Sequence, residues 1–203
     1  MDFIYERFKT PQKVKIEVVS GGGRYSGKVW LEIARQIYCE NGRDGFREIG
    51  HFNSGAPFLY DADEKISISH TQGCLAVATI KVNPDTNLSL FSPESALGVD
   101  VERADREKAR ELRERYLTSE EMALVPDTTE ASVLAWTCKE AMLKAGMKPD
   151  INWHNDIIIT SLPEPDGSTG EGYLILEGEK YTFSLYSLRY EDFIITTAIT
   201  KNI

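Results

Sequence analysis

The sequence predicts an α+β fold built as two pseudo-symmetric lobes, and three observations carry that expectation. Each half of the chain opens on a β-branched stretch, passes through a segment of helical spacing and closes on alternating strands. A polar segment containing Pro84 and Pro93, Asn83–Ser95, separates the halves and reads as a connection. The apolar runs Leu75–Ile80 and Ile157–Ile159 have the length of core strands, well short of the roughly 18 apolar residues of a membrane span. The expected organisation is an N-terminal lobe over residues 1–95 and a C-terminal lobe over 96–203, each a small antiparallel sheet packed with helices.

Lys13–Ser20 alternates and is β-branched, so it predicts a strand. Gly21–Gly23 and Gly27 interrupt it, after which Val29, Ile33, Ala34 and Ile37 give helical spacing through Lys28–Tyr38. Glu48–Phe52, Lys65–Ser69 and Cys74–Val82 predict strands. In the second half Ala96–Val101 predicts a short apolar strand, followed by a charged helix from Ala104 to Tyr116 with Ala109, Leu112 and Tyr116 facing inward. Thr118 and Glu121 have the spacing of a capping box. Thr129–Ala145 predicts a longer helix, stopped by Gly146 and Pro149. Tyr173–Glu177, Tyr181–Leu188 and Phe193–Thr200 read as a β-meander.

The bulk properties exclude several classes. A net charge of −9 argues against broad attraction to nucleic acid or an anionic membrane surface, while leaving room for one anionic ligand in a locally basic cleft. His51, His70 and His154 are too scattered for a histidine-rich zinc site. The three cysteines Cys39, Cys74 and Cys138 have no metal-type spacing and fit a reducing cytoplasm. The charged N-terminus lacks the apolar stretch of a secretory signal.

Three segments carry chemistry. In Gly98-Val99-Asp100-Val101-Glu102, strand alternation sets Asp100 and Glu102 on one face, where two carboxylates can share a hard divalent cation. On the long helix, Trp136, Glu140 and Lys144 fall at i, i+4 and i+8, with Lys139 bordering the stripe. One carboxylate and two ammonium groups there suit a metal-bound pyrophosphate, although Glu140 and Lys144 also fit an ordinary surface ion pair. In Ser67-Ile68-Ser69-His70-Thr71, Ser69 and His70 can donate hydrogen bonds to a phosphate, or serve a structural role at a strand end.

ISISHT, GVDVE and WTCKEAMLK, in this order over residues 66–144, resemble the three signature regions of the 4′-phosphopantetheinyl transferase superfamily. Their usual forms are S-H, G-(I/V)-D-x-E and W-x-x-K-E-A-x-x-K. The length resembles the single-chain, surfactin-activator type rather than the half-length type that assembles its sites between subunits. The resemblance implies an enzyme that moves the phosphopantetheine arm of coenzyme A onto a serine of a carrier protein. It further implies Mg²⁺, or Mn²⁺, held by Asp100, Glu102 and Glu140, and coenzyme A phosphates met by Ser69, His70, Lys139 and Lys144. Glu140, Lys144 and Lys139 become the candidate catalytic groups, and one site per monomeric chain is expected. The Gly-Lys-Pro frequent before the Ser-His segment is here Gly55-Ala56-Pro57, which removes a side-chain contact. Arg24 and Lys28, and less directly Arg47, are the candidates for the coenzyme A 3′-phosphate.

An acidic carrier protein would be met by Arg103, Arg106, Arg110 and Arg113, which share one side of the predicted 104–116 helix. A solvated, salt-bridged helix gives the same pattern. Two other readings compete. Gly22–Lys28 fits the glycine pattern of a P-loop, but Val29 stands where a Mg²⁺-binding hydroxyl belongs. A non-catalytic carrier-binding module on the same fold would have no use for the three carboxylates.

Overall fold

The computed structural model describes residues 4–21, 25–40, 49–60, 63–81, 96–147, 151–164 and 167–201. The expected connection at Asn83–Ser95 and the candidates Arg24 and Arg47 lie outside the described residues. Two antiparallel sheets are packed face to face, with a helix on each outer side. The first sheet is formed by β1 (Ile4–Lys9), β2 (Lys15–Ser20), β5 (Glu64–Thr71) and β6 (Cys74–Lys81), in the order β1-β2-β6-β5. The second is formed by β7 (Leu97–Arg103), β8 (Ile157–Ser161), β9 (Gly170–Leu176), β10 (Glu179–Tyr190) and β11 (Phe193–Thr200), in the order β7-β11-β10-β9-β8. A small hairpin of β3 (Ile49–His51) and β4 (Pro57–Leu59) flanks the first sheet.

Strand alternation produces the layers. On β6, Leu75 and Val77 face helix α1 (Gly27–Glu40) and pack with its Trp30 and Ala34. The intervening Cys74, Ala76, Ala78 and Ile80 face the second sheet, where they meet Val99, Leu188 and Ile195. The second sheet presents its other side, through Leu174, Phe183 and Leu185, to Ala135, Cys138 and Met142 of α5 (Thr129–Gly146). Both sheets are therefore covered on their inner faces by each other, and this shared interior explains why β6 is apolar on both sides. No helix among the described residues is long and apolar enough to cross a membrane.

Three local features depart from the sequence reading. The charged helix expected over 104–116 is two short pieces, α2 (Glu107–Glu111) and α3 (Arg113–Tyr116), broken at Leu112. Tertiary bonds set the break: Arg113 donates to the carbonyls of Val125 and Pro126, and the single Tyr116 hydroxyl hydrogen is shared between those of Ala109 and Ser132. The strand expected from Lys13 begins at Lys15, because Lys13 sits in the turn at φ 65°. Strands β1 and β4 had no periodic signal of their own. By contrast, the capping box is present on α4 (Ser119–Leu124), with Thr118 Oγ1 accepting from Glu121 N–H and the Glu121 carboxylate accepting from Thr118 N–H.

One glycine sets the distance between the second sheet and α5. A Cβ added at Gly98 would lie 1.9 Å from the Ala141 carbonyl oxygen and 2.8 Å from the Ala145 nitrogen, both of them helix backbone. Only glycine lets β7 come this close. Gly98→Ala should force strand and helix apart and destabilise the fold by at least about 1–3 kcal/mol, the usual range for overpacking. Thermal denaturation checks this, the expected fall in Tm being about 2–4 °C per kcal/mol for a chain of this size.

Candidate functional site

Asp100 lies at the centre of the site. It is 6% exposed, on the face of β7 that Gly98 holds against α5. Its Oδ1 accepts hydrogen bonds from Ser69 Oγ at 2.8 Å and from Lys144 Nζ at 2.7 Å. Lys144 Nζ also donates to Ser69 Oγ at 2.8 Å. Three elements, β5, β7 and α5, thus meet at one carboxylate. Burial raises the Asp100 pKa, while the charge and hydrogen bond of Lys144 and the hydroxyl of Ser69 pull against that rise.

The contact between β5 and β7 follows the period of two. Ser67 Oγ accepts from Val99 N–H, Ser69 Oγ accepts from Val101 N–H, and Thr71 Oγ1 donates to Glu102 Oε1 at 2.8 Å. β7 is the edge of its sheet, and hydroxyls of the neighbouring sheet take the place of a ladder partner for its outward N–H groups. The same alternation places Asp100 and Glu102 together, as the sequence predicts. Glu102 also accepts from Arg103 N–H and pairs with Arg106, whose guanidinium lies over the Trp136 ring, 5.3 Å from its centroid. Arg106, expected on the carrier-facing stripe, is drawn to the Asp100 site instead; its i,i+4 spacing from Glu102 was the available signal.

Glu140 stands on α5 one turn before Lys144 and senses all these charges. Its carboxyl is pushed up to about 7, first by burial and next by the charge of Asp100, with Lys144 and Arg106 opposing. Three carboxylates repelling one another, with Lys144 and Arg106 as counter-charges, form an oxygen-rich, electron-rich donor set suited to a hard cation. Among the described residues, however, no group of three or more acidic, histidine or cysteine side chains is gathered closely enough to hold a metal ion. Lys144 instead neutralises Asp100, and Arg106 neutralises Glu102.

His70 closes the outer side. Its ring stacks near Trp30, with centroids 6.4 Å apart, and its Nε2 would lie 3.4 Å from a Cβ at Gly27, the first residue of α1. Partial burial and the charge of Lys144 both lower its pKa. Lys28, in the first turn of α1, is exposed. A cavity of about 270 Å³ opens beside Lys144, walled by Gly55, Pro57, Ser67 and Leu143. The backbone of Gly55-Ala56-Pro57 therefore borders the site although no lysine side chain is available there.

Lys139 is elsewhere. It is 0% exposed, and its Nζ donates to Glu121 Oε2 at 2.9 Å and to the carbonyls of Trp153 at 3.0 Å and Ile157. An ammonium has three hydrogens, and all three are used. The expected phosphate contact of Lys139 is therefore corrected to a structural one: it fixes α5 against α4 and β8. Glu121 accepts in addition from Ile159 N–H at 2.8 Å, so one buried carboxylate caps a helix, pairs a lysine and satisfies a strand.

The arginine stripe is likewise not a free basic face. Arg103 pairs with Asp105, Arg106 with Glu102, Arg110 with Asp127, and the mostly buried Arg113 holds Asp127 and two carbonyls. Arg103 ends β7, Arg106 precedes α2, and only Arg110 and Arg113 lie on the two helical pieces, so the four guanidinium groups serve different tasks.

Comparison with known families finds a match over residues 96–198, just over half of the chain, to the model described as the 4'-phosphopantetheinyl transferase superfamily. The matched span takes in Asp100, Glu102, Lys139, Glu140 and Lys144. Comparison with the curated proteins finds no match.

The two neighbouring lysines should separate in a stability measurement. Lys139→Ala leaves Glu121 buried and unpaired and should cost about 3–5 kcal/mol, as for a broken buried ion pair. Lys144→Ala, whose side chain is 31% exposed, should cost only about 1–3 kcal/mol. Urea denaturation of both variants checks the order.

Proposed function

The chain belongs to the 4′-phosphopantetheinyl transferase superfamily, and from that premise we propose that it is a single-chain transferase acting on an apo acyl or peptidyl carrier protein. A carrier serine hydroxyl attacks the β-phosphorus of coenzyme A. The new serine O–P bond forms as the bond to the bridging oxygen of the α-phosphate breaks. The products are the phosphopantetheinylated carrier and adenosine 3′,5′-bisphosphate. The observation that carries this reading is the junction of Ser69, Asp100 and Lys144, with Glu140 and Glu102 beside it and a cavity opening at Lys144.

Each role follows from chemistry at those positions. Lys144, the partly exposed cation at the cavity, turns from Asp100 to the pyrophosphate oxygens, where a fixed positive charge offsets the negative charge that develops during transfer. Ser69 and His70 supply hydrogen bonds to the phosphates, and Lys28, on the helix start beside His70, supplies charge for the 3′-phosphate. The serine proton passes to Glu140, or to a water that Glu140 orients. Asp100, Glu102 and Glu140 would hold Mg²⁺ or Mn²⁺ only once Lys144 and Arg106 give up their pairs with Asp100 and Glu102 and the three carboxylates draw together; the ion would then supply charge neutralisation at the pyrophosphate. With lobes divided between residues 95 and 96, β5 and β7 of one chain would flank the site and each chain would carry one. An acidic carrier approaching Arg103 and Arg110 exchanges their pairs with Asp105 and Asp127 rather than meeting free cations, and the electrostatic gain there is small.

The reaction is tested by incubating the protein with coenzyme A, Mg²⁺ and an apo carrier protein and following carrier mass. The wild type should add one phosphopantetheine per carrier. Asp100→Ala should abolish the mass gain, and Lys144→Ala should lower turnover by roughly 10²-fold or more, the scale of losing a preorganised charge contact. Carrier binding without any mass gain would instead identify a non-catalytic binding module.

A further inference from the structure

A second basic site lies at the far end of the sheets. The groove there has a volume of about 660 Å³ and is walled by the end of β1, the β1–β2 turn, the end of β6 and the end of β11. β5 spans the distance between the two regions: Glu64 lines this groove, whereas Ser69 to Thr71 face the site described above. At about 3.3 Å per strand residue the separation is roughly 20 Å. No residue of the Asp100 cluster lines the groove.

Its charge is unusual for this chain. Five lysines and two glutamates line it, within a protein of net charge −9. Lys201 is neutralised by Glu171. Lys9, Lys13, Lys15 and Lys81 form no ion pair among the described residues, whereas Arg103, Arg106, Arg110 and Arg113 are each paired with an acid. Lys9 and Lys15 are directly opposite in the β1–β2 register, so they share one face. Like charges at such positions repel and destabilise a strand pair unless an anion lies between them.

The turn that presents these lysines is firmly built. Thr10 N–H donates to the Val14 carbonyl, Lys13 N–H donates to the Thr10 carbonyl, and Thr10 Oγ1 accepts from Val14 N–H. Lys13 occupies the left-handed region at φ 65°, a conformation that a side chain adopts at a cost. Gln12 ties the turn across to β10 by donating from Nε2 to Ser184 Oγ at 3.0 Å. Its Oε1 is buried without a hydrogen-bond partner, alone among the described side-chain polar atoms.

We propose that this groove binds a multiply charged phosphate ester. The phosphates meet Lys9, Lys13, Lys15 and Lys81. The volume suits a ligand of nucleotide or sugar-phosphate size. Because Gln12 links the β1–β2 turn to β10, an occupant would bear on both sheets at once.

The test uses tripolyphosphate as the probe for the phosphate part of the ligand. The wild-type protein is treated with an amine-acylating reagent with and without tripolyphosphate, and each lysine is read by peptide mass mapping. Reactivity at Lys13, Lys15 and Lys81 should fall several-fold, while exposed Lys108 and Lys180 stay unchanged and Lys28 and Lys144 report separately on the Asp100 site. Calorimetry then compares the wild type with the Lys13→Gln/Lys15→Gln/Lys81→Gln variant. This variant should lose one tripolyphosphate-binding event and keep the one that Lys144→Ala removes. Equal protection by sodium sulfate at matched ionic strength, uniform reactivity at all lysines, or unchanged calorimetry of the triple variant would each overturn the proposal.

Discussion

A buried carboxylate between two sheets is the constraint on which the rest of this structure depends. Asp100 is held by a hydroxyl from the first sheet and an ammonium from the helix behind the second. A buried charge is tolerated only with such partners, so β5, β7 and α5 must keep their relative positions or leave the carboxylate unpaired. Gly98 brings the helix within reach, and the alternation Ser67, Ser69, Thr71 supplies the matching hydroxyl edge. The catalytic groups of the proposed transferase are thus the same groups that fasten the sheets together.

A second buried pair secures the helix that carries them. Lys139 and Glu121 are both essentially inaccessible and share their hydrogen bonds with the Trp153 and Ile157 carbonyls and the Ile159 and Thr118 amides. Lys139 thereby fixes the position of its sequence neighbour Glu140 along α5. Pairs of this kind contribute little net stability over an apolar substitute but fix one arrangement, because a shifted helix would strand either charge.

Much of this was legible in the sequence where a residue's role is local. The capping box at Thr118, the α5 boundaries near Thr128 and Gly146, and the shared face of Asp100 and Glu102 follow from period and capping chemistry alone. The mixed α+β class follows in the same way, whereas the family rested on the resemblance of three segments, two of which, GVDVE and WTCKEAMLK, lie within the family match over 96–198. What escaped depends on partners distant in sequence. The inward turn of Lys139 needs Glu121 and two carbonyls that no helical stripe reveals. The break at Leu112 needs the carbonyls of Val125 and Pro126 to draw Arg113 in. The same partners turned the apparent basic stripe into separate ion pairs, a result that periodicity could not distinguish from an open binding face.

The central claim is that Asp100 couples the first sheet to α5, and a double-mutant cycle in urea denaturation tests it most directly. Ser69→Ala, Lys144→Ala and the double variant are compared with the wild type. The account predicts a coupling energy of about 1 kcal/mol or more, since both side chains bond one another and the same carboxylate oxygen. Effects that add to within about 0.3–0.5 kcal/mol, as for independent sites, would contradict it.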